Sequence, residues 1–209
     1  MVYRDFCNRV LQLMNQYTIA GEEVALTYNA QFDYIARIPG LLDSAQQYLA
    51  TTTKPIYATM PLDWRSAEER GGFYVIQMPD DFWQLCGRGL FRIKDGEFSV
   101  YHGYRWFGRD KIIVPIQDEA DMELTYYRYP HSVPAEPDDT FELDNLPDAQ
   151  DAAAYYVAAN LVMYDNPFAY SALYNEFENR RQQMFERPQA EYEMVENTYT
   201  TPGDGVYCV

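Results

Sequence analysis

The sequence predicts an α+β protein: a helical bundle from N- and C-terminal helices, an inserted antiparallel β-rich region, and an extended C-terminal tail. Three observations predict it. Apolar residues recur at three-to-four spacing at both ends of the chain. Between them that period gives way to short β-branched and aromatic runs punctuated by glycine. After Arg187-Pro188 no period is visible. The expected organisation is 1–53 plus 130–187 as the bundle, 54–129 as the insertion and 188–209 as a C-terminal extended arm.

Phe6, Val10, Leu13 and Tyr17 form the stripe of the first helix, and Gly21 is expected to break it. Val24, Tyr28, Phe32 and Ile35 continue the pattern. Ile38-Pro39-Gly40 is then expected to force an extended residue and restart the helix, whose second part carries Leu41, Ala45, Tyr48 and Leu49. Strands are expected from Thr51, because Thr51-Thr52-Thr53 and Lys54-Pro55 are poor helix interiors. Phe73 to Met78 reads as a strand. Leu90 to Ile93 and Phe98 to Tyr101 flank Lys94-Asp95-Gly96-Glu97, and Asp-Gly between such runs is a strong hairpin signal. Lys111 to Ile116 and Met122 to Tyr129 read as a second strand pair, with Pro115 at an edge or a strand end. Residues 130–148 alternate proline with aspartate and read as a linker. Pro147-Asp148 opens a helix lined by Ala153, Val157 and Leu161; Asn166-Pro167 ends it and starts another, with Phe168, Leu173, Phe177, Arg180 or Arg181, and Met184 as its stripe.

With 209 residues, 47% of them apolar, the chain can bury a core despite a net charge of −16. The charge is uneven: residues 1–129 hold 13 basic and 17 acidic groups, and residues 130–209 hold 3 and 15. Such a balance argues against grip on a phosphate backbone, which depends on Lys and Arg. Twenty tyrosines suit either half-wet subunit contacts or ordinary sheet packing. Cys7, Cys86 and Cys208 are scattered and contain no C-x-x-C pair, which favours free thiols in a reducing compartment. No membrane span is expected, since the uncharged run Ala152 to Tyr164 is too short.

Reactive chemistry finds little support. His102 and His131 lack partners at metal-ligand spacing, so neither a metal nor a cofactor is expected. The acidic groups Asp80-Asp81, Asp118-Glu119-Asp121 and Asp138-Asp139 fall in turn-like sequence, where backbone capping explains them. Gly87-Arg88-Gly89 lacks the third glycine or the Lys-Ser/Thr of a nucleotide loop, and no His/Asn pattern identifies a partner for Cys86 as a nucleophile.

The order of helices, β-rich middle, Pro/Asp linker and two closing helices resembles the head-to-tail connector (neck adaptor) proteins of tailed bacteriophages. Three stretches carry the likeness: Asp33 to Gln46, with its Ile38-Pro39-Gly40-Leu41-Leu42 step; Phe73 to Phe82, ending Met78-Pro79-Asp80-Asp81-Phe82; and Met122 to Pro130, with Tyr126-Tyr127-Arg128-Tyr129-Pro130, followed by the helices from Ala149 to Arg181. The resemblance implies a structural virion protein, not an enzyme. It would be made in the host bacterial cytoplasm and built into the neck as a ring homo-oligomer, commonly a dodecamer, beneath the portal protein. The other face would receive tail or stopper proteins, and DNA would pass through the lumen without specific binding, as an acidic wall permits. In that setting the C-terminal arm is expected to reach the portal, with Tyr192, Met194, Tyr199, Tyr207 and Val209 as anchors; a frayed terminus is the other reading of that stretch. Two alternatives stand beside this: another neck or tail-completion protein, and a carbohydrate-binding or carbohydrate-active domain in which Trp64, Trp83 and Trp106 stack on sugar beside Asp80 and Asp81.

Overall fold

A computed structural model describes residues 1–16, 28–145 and 147–186. Tyr17, Gly21, Val24, Cys208, the Arg187-Pro188 stop and the whole 188–209 arm lie outside the described residues. The architecture is α+β, with helices at both ends of the chain and antiparallel pairing between them. The chain divides into two units, Met1–Ile56 with the described residues from Pro130 onward, and Tyr57–Tyr129.

The helical unit contains α1 (Tyr3–Gln16), α2 (Tyr28–Thr52), α3 (Pro147–Val162) and α4 (Pro167–Glu186). In α1 the predicted stripe is the buried one: Phe6, Val10 and Leu13 are wholly inaccessible. Helix α3 packs on the other three helices and is buried nearly all round, through Ala152, Ala153, Ala154, Val157, Ala158, Ala159 and Leu161. A run of alanines allows three helices to approach one, because a methyl group adds so little radius. Charge also joins the helices. Asp151 of α3 accepts from Arg180 of α4 and lies 3.5 Å from Arg9 of α1, and the Arg180 guanidinium stands 4.4 Å over the ring of Tyr155.

Helix α2 corrects the sequence reading. Pro39 does not break it; the helix runs through from Tyr28 to Thr52. An interior proline costs about 3 kcal/mol in lost hydrogen bonding and ring clash. Here Ile38, Leu42, Ala45 and Leu49 all fall on one wholly buried face. Burying an Ile or Leu side chain contributes roughly 1.5–3 kcal/mol each, enough to offset the break. Ile35 is instead exposed, as is Tyr48. At the other end Thr51 and Thr52 stay helical, their hydroxyls donating to the carbonyls of Gln47 and Tyr48 at 2.8 and 2.6 Å.

The segment before α3 is tied down as a strap on the helical unit. Tyr3 N donates to Phe141 O at 2.8 Å, Val133 N to Asp43 Oδ1 at 2.9 Å, and His131 N to Asp144 Oδ2 at 2.8 Å. Asp144, and Asp138 through Thr140 N at 2.9 Å, therefore serve backbone groups of the strap.

The β unit holds two sheets. Strands β1 (Ile56–Pro61), β2 (Glu68–Arg70), β3 (Phe73–Gln77), β4 (Phe82–Lys94), β5 (Glu97–Val100), β6 (Arg105–Trp106), β7 (Lys111–Pro115) and β8 (Met122–Arg128) are ordered β1-β8-β4-β5 and β2-β3-β7-β6. The expected hairpin is present between β4 and β5, with Asp95 at φ 54° and Gly96 at φ 83° in its turn. The expected pairing of Lys111–Ile116 with Met122–Tyr129 is not: β7 pairs with β3 and β6, and β8 with β4. A 3-10 turn at Ile116–Asp118 sends the chain from one sheet to the other. Residues 118–120 around it then tether both sheets. Tyr101 OH donates to Asp118 Oδ2 and Tyr74 OH to Glu119 Oε2, both at 2.7 Å, and Trp64 Nε1 donates to Ala120 O at 2.7 Å. The hydrogen bond to Glu119 raises the Tyr74 phenol to about 12. Burial and the bond to Asp118 raise Tyr101 to about 12.

Candidate interaction surfaces

The first surface is the turn between α3 and α4. After α3 the chain reverses in four residues: Asp165 N and Asn166 N donate to Val162 O at 3.1 and 2.8 Å, and Asn166 Oδ1 caps α4 by accepting from Ala169 N at 3.0 Å. Asp165 is also held from α2, accepting Tyr34 OH at 2.7 Å. On this fixed turn Tyr164 is 82% exposed and Phe168 64%, with Met163 beside them at 40%. The sequence placed Phe168 on the buried stripe of α4. The structure turns it outward, because Ala169, Leu173, Phe177 and Met184 already supply that stripe. An anchor of this kind loses little conformational freedom on binding.

The second surface is the outer face of the sheet β2-β3-β7-β6. Tyr74, Ile76, Ile112 and Val114 enter the core of the β unit, so the alternate residues Phe73, Val75, Ile113 and Pro115 lie on the other face, where Val75 is itself buried and lines a cavity with Met60, Asp63 and Glu68, and the other three are half-buried. Cross-strand partners share a side, and the register sets Arg70 opposite Phe73, Arg105 opposite Ile113, and Lys111 opposite Gln77. These three cations stand beside two carboxylates, Glu68 opposite Val75 and Asp110, which accepts Gln77 Nε2 at 2.9 Å next to Lys111. Arg70 and Phe107 belong to opposite edges of the sheet, yet the guanidinium lies 5.6 Å from the centre of the Phe107 ring. The Arg70 side chain therefore crosses the apolar face. Among the described residues neither Arg70 nor Arg105 forms a salt bridge. The sequence reading passed over this face because β2 and β6 are three and two residues long. The signal was the alternation Glu68-x-Arg70, Arg105-x-Phe107 and Lys111-x-Ile113.

The remaining sequence-stated groups resolve individually. Tyr192, Met194, Tyr199, Tyr207 and Val209 lie outside the described residues. Asp81 accepts Tyr126 OH at 3.2 Å and lies 3.9 Å from Arg128, while Asp80 is exposed. The tryptophans do not share a surface. Trp83 meets Tyr127 and Tyr129, whereas Trp106 meets Phe82, which adjoins Tyr126 on the opposite side of β4 and β8. Cys7 is half-buried and Cys86 buried; burial pushes the Cys7 thiol up. Among the described residues no group of three His, Cys, Asp or Glu is placed to hold a metal ion, and no helix is long and apolar enough to cross a membrane.

Compared with models of known protein families, the sequence matches none. No curated protein matches it either.

Proposed function

We propose that this chain is a structural adaptor of a tailed-phage neck: a non-catalytic subunit of a ring that sits beneath the portal, joins head to tail and lets DNA pass. The observation that carries the reading is the α3–α4 turn. An exposed tyrosine and phenylalanine on one hydrogen-bonded turn suit a protein-binding surface, since a partner would take their apolar area out of water. The resemblance of Asp33–Gln46, Phe73–Phe82 and Met122–Arg181 to neck adaptors supplies the setting. The net charge of −16 supports a lumen along which a polyanion slides.

In this reading the free protein is monomeric or weakly associated, and closes into a ring when a portal fixes the rotation between neighbours. Residues 188–209 reach the portal through Tyr192, Met194, Tyr199, Tyr207 and Val209. The test is co-sedimentation of the full chain with a candidate portal, followed by electron microscopy of the pellet. Ring density under the portal is the expected result. A chain that stays in the supernatant with the portal and pellets with tail tubes instead would make it a tail-completion protein.

A further inference from the structure

We draw no further inference here: the strongest candidate, the cavity of about 280 Å³ in the β unit lined by Met60 and Val75 with Asp63, Glu68 and Lys111, carries nothing, because its polar side chains are exposed or half-buried, where water satisfies them, and none selects a ligand.

Discussion

Gln46 on α2 is 1% exposed, and neither its Oε1 nor its Nε2 has a hydrogen-bond partner. Its backbone carbonyl accepts Asn145 Nδ2 at 3.2 Å, but the side-chain amide is left with nothing. A buried amide without a partner costs about 1–3 kcal/mol on the scale set by protein mutations. Methionine has nearly the same length and volume and bends to fit an irregular site. Gln46→Met should therefore stabilise the protein by about 1–3 kcal/mol, a rise of about 4–8 °C in Tm at the middle of that range for a chain of this size. Gln150 is the control. It is also buried, but its Nε2 donates to the carbonyls of Leu143 and Asn145. Gln150→Met leaves two carbonyls unsatisfied and should lower stability by a similar amount. Thermal melts followed by far-UV circular dichroism, with urea midpoints beside them, read both signs. A fall in Tm for Gln46→Met would refute the reasoning, since it would show that the amide is satisfied in solution.

Further outcomes follow from other parts of the structure. Tyr164→Ser with Phe168→Ser should change stability by no more than about 0.5 kcal/mol, yet abolish ring formation on the portal by electron microscopy; retained rings would remove the turn from the interface. Gly89 sits at φ +73° with Leu85 Cδ1 2.9 Å from where a Cβ would stand, so Gly89→Ala should destabilise the β unit by at least the roughly 1–2 kcal/mol of a left-handed residue, measured by urea denaturation. Burial and a carboxylate acceptor raise Tyr34 and Tyr101 to about 12, from an ordinary value of 10. In the unfolded chain these phenols lose their protons first, so their contribution is complete below pH 10 and is lost as pH rises toward 12. Tyr34→Phe with Tyr101→Phe should flatten that alkaline loss in melts taken across the window. An unchanged pH profile would show that the phenols are not the cause.

Much of the fold was legible because it rests on period. Phe6-Val10-Leu13, the Asp95-Gly96 turn and the Pro147 and Pro167 helix starts are local signals, and each lies where its chemistry placed it. Pro39 misled because its local preference is real but small beside the burial of Ile38, Leu42 and Leu49, which only tertiary packing supplies. The partners of β7 were hidden for a different reason. Nothing within Lys111–Pro115 says whether it pairs with the next strand or with one thirty-odd residues earlier, and the 3-10 turn at Ile116–Asp118 carried no sequence signal strong enough to separate the sheets. The surfaces were the least legible. Arg70, Arg105 and Phe107 come from short strands apart in sequence, and become one face only through register.

The split construction of the helical unit also sets an order of events on the ribosome. Residues 57–129 emerge as one uninterrupted stretch, so the β unit can complete itself while α3 and α4 are still unsynthesised. Helices α1 and α2 must wait. Their closing contacts are very distant in sequence, with Tyr34 meeting Asp165 across 131 positions and Asn145 meeting Gln46 across 99. Until the alanine-rich α3 arrives, Phe6, Val10, Ile38 and Leu42 have no wall to pack on. A nascent chain halted between β8 and α3 therefore carries a finished β unit and two helices with uncovered apolar faces, the form in which chaperones, or another unfinished copy, would meet it.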